Sequence, residues 1–307
     1  MIKSSKNKTK VLVILGPTAS GKSDLAVRLA KKLSPYGGAE VISADSRQVY
    51  KGLDIGSAKI TKKEMMNIPH HLLDIASPKR VFTASQYQKL GEKAINKITK
   101  KGKLPIICGG TGFYIDTLVY NLNLPEVPPQ KQLRKKLEKE TAEFLFKKLK
   151  KLDPRRAKTI DPNNKRRLIR ALEIVLTTKK PVAPISFSKK KQYDVLRIGI
   201  KKDPKELKKI IHKRLVKRIS QGMIKEVQNL HDSGLSWNRL DDLGLEYRYV
   251  SRYLRGIISK KEMMELIEKE SWQYAKRQTT WFKREKDIIW ISSPQKAFSI
   301  CLDWLGL

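Results

Sequence analysis

One stretch decides how the rest of this chain can fold. Gly16-Pro17-Thr18-Ala19-Ser20-Gly21-Lys22-Ser23 fits the pattern G-x-x-x-x-G-K-[ST]. The apolar run Val11–Leu15 precedes it, and Asp24-Leu25-Ala26-Val27-Arg28-Leu29-Ala30, with helical spacing, follows. In a strand, loop and helix context this pattern specifies a phosphate-binding loop. The glycines let backbone N–H groups turn towards an anion, and the helix N-terminus adds partial positive charge. Lys22 is placed to reach terminal phosphates, and the Ser23 hydroxyl to bind Mg²⁺. A flexible glycine turn does not explain Lys22-Ser23 at the helix start. The motif specifies a diphosphate and leaves its owner open.

Five short apolar runs read as buried strands: Val11–Leu15, Glu40–Ser43, Pro105–Cys108, Val195–Ile200 and Ile288–Ile291. Helical patterns between them predict an α/β fold, a P-loop NTPase-like parallel sheet flanked by helices. The first helix runs to about Leu33, before Ser34-Pro35 and Gly37-Gly38; another starts at Thr83, which forms a capping box with Gln86, and stops near Gly102. Unusual loops follow the first three strands: the phosphate loop, Ala44-Asp45-Ser46-Arg47-Gln48, and Gly109-Gly110-Thr111-Gly112. Parallel strands bring all three to one edge of the sheet, where doubly wound folds bind ligands.

The texture changes after residue 121. Pro125, Pro128 and Pro129 open a segment that Pro181 and Pro184 help to close. Between them lie basic helices, Gln132–Leu152 with an apolar stripe of Leu133, Leu137, Phe144 and Leu149, and Lys165–Thr177. The expected organisation is a core in residues 1–121 and 195–307, with a small helical insertion in residues 122–194. The second part of the core adds a long helix, Lys205–His231, interrupted near Gly222, and a last helix, Lys260–Lys283.

Lys and Arg number 66 against 30 Asp and Glu, a formal charge of +36 over 307 residues. Such a surface attracts polyanions, with nucleic acid the default partner. Cys108 and Cys301 lack metal-ligand spacing, and His70, His71, His212 and His231 have no neighbouring Cys pair, which argues against zinc. The basic opening leads into an apolar run too short for a signal peptide or membrane span. A cytoplasmic, monomeric protein without a membrane partner is the expectation.

Asp45, at the end of the second strand, can bind Mg²⁺ or act as a general base; the plainer alternative is a loop cap. An ordinary P-loop ATPase also needs an acid ending a further strand. The third apolar run ends in Cys108-Gly109-Gly110, and Leu72-Leu73-Asp74 is a weak substitute. That tilts against simple nucleotide hydrolysis. His70 and His71 are expected to pack or hydrogen-bond in a loop.

Together the motifs resemble the tRNA dimethylallyltransferase (isopentenyltransferase) family over nearly the whole chain. Besides the phosphate loop, the resemblance rests on Ser43-Ala44-Asp45-Ser46-Arg47-Gln48-Val49-Tyr50, Gly52-Leu53-Asp54-Ile55-Gly56 and Pro69-His70-His71-Leu72-Leu73-Asp74. It continues in Gly109-Gly110-Thr111-Gly112-Phe113-Tyr114, Asn163-Asn164-Lys165-Arg166-Arg167-Leu168-Ile169-Arg170-Ala171-Leu172-Glu173 and Ala275-Lys276-Arg277-Gln278-Thr279-Thr280-Trp281-Phe282.

The resemblance implies transfer of a dimethylallyl group from dimethylallyl diphosphate to N6 of the adenosine next to the anticodon. By it, Gly16 to Ser23 hold the diphosphate, with Mg²⁺ on Ser23. Asp45 matches the general base, Thr111 a contact to the target nucleotide, and Arg214 a cation on the leaving group. The tRNA anticodon stem-loop is implied to lie on Asp45, Ser46, Arg47, Gln48, Thr111, Arg134, Arg166, Arg167, Leu168, Ile169, Arg170, Lys276, Arg277 and Gln278. Trp281 and Phe282 add either stacking surface or core. The chain departs from the family pattern at Ser23 for Thr, at Ser57 and Ile60 for Thr and Pro, and at Arg218 for a common Met. Gly244-Leu245-Glu246-Tyr247 stands in place of a Gly-Tyr-Lys stretch. Three alternatives share parts of the pattern: an adenylate isopentenyltransferase acting on AMP or ATP, a P-loop small-molecule kinase, and a non-catalytic RNA-binding protein.

Overall fold

The computed structural model describes residues 8–184 and 192–307. Six strands form one sheet: β1 Thr9–Leu15, β2 Ala39–Ser43, β3 His70–His71, β4 Leu104–Gly109, β5 Tyr193–Ile200 and β6 Ile288–Ile291, in the order β3-β2-β4-β1-β5-β6. Every pairing is parallel. β1 lies at the centre, with Leu12 opposite Ile106 of β4 and Leu196 of β5. Its residues alternate between two cores: Val11, Val13 and Leu15 enter one, Leu12 and Ile14 the other. Helices cover both faces, so the strand reads as an unbroken apolar run. Each such side chain buried contributes about 1.5–3 kcal/mol.

β3 has no apolar run, and the sequence expectation of a loop at His70 and His71 is corrected here. The two residues pair with Val41 and Ile42 at the sheet edge. Side-chain polarity holds the pair in place: His71 Nε2 lies 2.7 Å from Glu40 Oε2. Lys101 and Lys103 each donate to Glu40 Oε1 at 3.0 Å. Burial alone would raise the Glu40 pKa, yet hydrogen bonds from His71, Lys101 and Lys103 bring it down to about 2.

The capping box at Thr83 and Gln86 starts the helix Ala84–Lys100. The interruption near Gly222 is real: helix Pro204–Ser220 ends before Gly222, whose φ of 98° starts helix Met223–Asp232. Helix Lys260–Phe282 opens on a further capping box, Ser259 with Glu262. Among the described residues no helix is long and apolar enough to cross a membrane.

The chain divides into two compact units, Met1–Asn121 with Lys189–Leu307, and Leu122–Ser188. The second contains helices Lys131–Leu137, Ala142–Leu152, Pro154–Ala157 and Lys165–Thr178. The single helix expected over 132–152 is therefore two. Thr141 caps the second by accepting from Phe144 N at 3.2 Å. The break rephases the stripe, so Leu145 is buried in the core of this unit and Phe144 is 49% exposed.

Candidate active site

Three loops meet at the C-terminal edge of β1, β2 and β4. Their closeness is built into the backbone: Ala44 N donates to Cys108 O at 2.8 Å, and Thr111 N to Ala44 O at 3.1 Å. A Cβ on Gly109 would lie 2.1 Å from Ala44 O, so only glycine fits where β4 ends.

After β1 the phosphate loop turns through left-handed backbone at Ala19 (φ 63°) and Gly21 (φ 91°). Ala19 incurs a cost of about 1–2 kcal/mol there. It is held by packing with Leu207, Ile211 and Ala275 from two helices behind the loop. Helix Lys22–Lys32 receives no side-chain cap from Gly21. The amides of its first turn accordingly have no partner within the helix. The Ser20 hydroxyl is buried without a hydrogen-bond partner. Lys22 Nζ donates to Pro17 O at 3.2 Å. Burial lowers the Lys22 pKa, Cys108 and Asp45 oppose that shift, and Arg214 adds to it. Cys108 lies beneath, its thiol 3.5 Å from Lys22 O and pushed up to about 11 by burial.

Asp45 is both a loop cap and an open carboxylate. Its Oδ1 accepts from Arg47 N at 2.8 Å and Gln48 N at 3.4 Å. Among the described residues no hydrogen bond falls on Oδ2. Thr111 Oγ1 accepts from Ser46 N at 3.1 Å, joining the second loop to the third. Sequence reasoning missed Tyr274, which lies near Asp45 and Thr111; burial and the nearby Asp45 push its pKa up to about 12, against Thr111. It lies one turn before Gln278 on the same helix, a spacing that would have pointed to it.

Gln278 itself is placed differently from the expectation of RNA contact. Its Oε1 accepts from Thr18 N at 2.7 Å, and its Nε2 donates to Gly110 O at 2.8 Å. At 6% exposure the side chain clamps the phosphate loop to the third loop and leaves RNA no surface. Gln48 also turns inward, donating to Ala58 O at 3.2 Å and Ser57 O at 3.4 Å. Lys276 and Arg277 remain exposed, while Ser46 and Arg47 are half-buried. Trp281 packs on Gly112, where a Cβ would lie 2.2 Å from its ring. Its Nε1 donates to Asp116 Oδ2 at 3.0 Å, and Phe282 is buried, so both aromatics belong to the core.

A fourth loop, residues 53–59, is tied to the Asp45 loop through Gln48. Glu226 Oε2 accepts from Asp54 N at 3.0 Å and Ile55 N at 2.6 Å. Glu226 Oε1 accepts from Gly56 N and from the Tyr247 hydroxyl, both at 3.0 Å. Lys59 bonds Asp54 at 2.6 Å and Asp74 at 2.5 Å. Asp74 thus serves as an ion-pair partner, which removes it as the substitute metal ligand. Arg214 is exposed on helix Pro204–Ser220; desolvation by the surrounding protein and the charge of Arg218 lower its pKa, against Glu64 and Glu246.

In the unit Leu122–Ser188, Arg134 donates twice to Glu173 at 2.7 Å and Arg170 once at 2.6 Å. Glu173 is fully buried, so these two arginines carry a structural counter-charge. Arg166 and Arg167 are exposed. Leu168 (0% exposed) and Ile169 (7%) fill the core of this unit, and their side chains are corrected from RNA contacts to packing.

A family model described as IPP transferase matches residues 48–285. The tRNA dimethylallyltransferase of Acetivibrio thermocellus is 40% identical over 93% of this chain and 92% of its own length. That of Anoxybacillus flavithermus is 42% identical over 92% and 89%. The chain belongs to the IPP transferase family. Solved structures agree: the tRNA isopentenylpyrophosphate transferase of Bacillus halodurans superimposes with a TM-score of 0.72 at 34% identity, covering 97% of each chain. A eukaryotic dimethylallyltransferase acting on tRNA gives a TM-score of 0.80 at 26% identity, covering 97% of this chain and 80% of that one. The P-loop-like fold of the family is the fold of this chain, and its members' prenyl-transfer chemistry makes it an enzyme of that type.

Proposed function

We propose that this chain transfers the dimethylallyl group of dimethylallyl diphosphate to N6 of the adenosine 3′-adjacent to the anticodon, in tRNAs reading codons that begin with U. The observation that carries the reading is the pairing of an open phosphate loop with Asp45, whose charge acts on Lys22 across the same edge. The allylic C–O bond breaks, and its electron pair leaves with the diphosphate. Backbone amides of the phosphate loop, Lys22 and Arg214 stabilise that developing charge. The N6 lone pair forms the new C–N bond, and the amine proton passes to Oδ2 of Asp45. Thr111, steadied by Ser46 N, holds the adenine edge. A loop base must be unstacked to enter.

Ser23 suits Mg²⁺, because this ion takes hard oxygen ligands and keeps water and phosphate oxygens rather than a dedicated protein cage. When bound, Mg²⁺ neutralises charge on the diphosphate. Exposed Arg166, Arg167, Lys276 and Arg277 grip the tRNA anticodon stem-loop, with residues 122–194 acting as a tRNA-binding domain. The enzyme acts as a cytoplasmic monomer.

Labelled dimethylallyl diphosphate is offered with unmodified tRNA, AMP and ATP in parallel. Label in tRNA alone is the expected result; label in AMP or ATP alone overturns the reading in favour of an adenylate prenyltransferase.

A further inference from the structure

Outside the residues assigned to the reaction, Arg218 stands out. It lies one turn after Arg214 on helix Pro204–Ser220, so both guanidinium groups share a helix face. Its Nη1 donates to Gly56 O and to Glu246 Oε1, both at 2.8 Å. The first partner belongs to the 53–59 loop, the second to helix Leu245–Leu254. The side chains are 13% and 20% exposed, so water screens the ion pair poorly. Arg218 Nε is buried without a hydrogen-bond partner. A cation in that setting depends on its counter-charge, because removing one partner of a buried pair strands the other. Glu246 also acts on Arg214, offsetting the effect of Arg218 on it.

We propose that Arg218 and Glu246 are a coupled pair of positioning residues that aims Arg214 at the donor diphosphate, an inference that rests on the reading of Arg214 given above. Cations one turn apart on a helix repel. Glu246 draws Arg218 towards Gly56 and absorbs its charge, which leaves the Arg214 charge for an incoming anion. The same contact ties helix Pro204–Ser220 to the 53–59 loop that Glu226 clamps. Lysine at 246 beside Arg218 would crowd three cations together. Methionine at 218 beside Glu246 would free an acid to compete with the diphosphate for Arg214. Only the double replacement removes both faults.

The test is a double-mutant cycle on the full chain with Arg218→Met, Glu246→Lys and the two combined. Each single variant is expected to raise the donor KM by about 10-fold or more, and the double to return within about 3-fold of the parent, a coupling typical of residues in contact. The tRNA KM is expected to stay within about 3-fold throughout. Single effects that multiply in the double, or a tRNA KM that rises with the donor KM, overturn the proposal. If Glu246→Lys does not fold, Glu246→Gln closes the same cycle. Arg214→Ala separates the two readings. A donor KM and kcat unchanged in that variant remove Arg214 from the diphosphate. A large loss there with a multiplicative cycle removes only the pairing.

Discussion

Two loops on this sheet edge gather backbone N–H groups into an anion cradle, and they are used in opposite ways. In the phosphate loop the first-turn amides after Gly21 have no side-chain cap. In the 53–59 loop, Glu226 already accepts from the amides of Asp54, Ile55 and Gly56. One cradle keeps its first-turn amides free of any side-chain cap; the other is filled by the protein's own carboxylate and becomes a staple. What separates binding from structure is the occupant, since both loops present the same backbone chemistry.

The contrast can be broken by emptying each cradle in turn. Removing the Lys22 ammonium should cost transfer on the order of a thousand-fold, as loss of an electrostatic contact to developing charge does. The thermal midpoint of Lys22→Ala should move by about 2 °C or less, corresponding to about 1 kcal/mol or less. Single-turnover rates and a melting curve read both. Glu226→Ala should do the reverse first: chemical denaturation is expected to show a loss of about 3 kcal/mol, because three amides and a phenol lose their acceptor. A Glu226→Ala protein that unfolds like the parent would end the distinction between staple and site.

Gly56→Ala sharpens the same point from the steric side. Its Cβ would lie 2.7 Å from the Tyr247 ring, which is 1% exposed and fixed through Glu226. A loss of about 2 kcal/mol is expected, in the range for overpacking, measured by urea denaturation.

The smallest effect extends the rule about donors to two other carboxylates. Glu40, with three donors, is held at about 2, so its contribution is full above pH 4.5 and fades as pH falls towards 2. Asp116 is raised from 3.8 to about 6 by burial and by Glu285, against one hydrogen bond from Trp281. Its native state therefore binds the proton more tightly than the unfolded chain, and stability falls as pH rises from 3.8 through about 6. Asp116→Asn should remove that slope and add about 1 kcal/mol at neutral pH, allowing for partial exposure. Melting curves at pH 4 and pH 7.5 decide it; an unchanged slope would exonerate Asp116.

Legibility in the sequence followed burial. β1, β2 and β4 were readable because they are buried on both faces, and β5 and β6 because short apolar runs survive in them although Ile289 of β6 is exposed. β3 was not, since what binds His71 there is Glu40, thirty-one residues away in sequence. The break at Thr141 hid inside a continuous basic and apolar pattern that only the cap resolves. Within Arg166 to Arg170 the motif was visible, but its helical period, which turns Leu168 and Ile169 inward, was passed over. The inward role of Gln278 was beyond local reading, because its partners Thr18 and Gly110 lie far away in sequence.

That last arrangement has a consequence for synthesis. Thr18 N waits for the amide of a residue 260 positions later. During translation at about 5–20 residues per second, that is a delay on the order of ten to fifty seconds. β1 likewise lacks its neighbour β5 until most of the chain has left the ribosome. The nascent protein thus carries an intact phosphate-loop sequence long before it owns a finished phosphate loop, whose last tie comes from helix Lys260–Phe282.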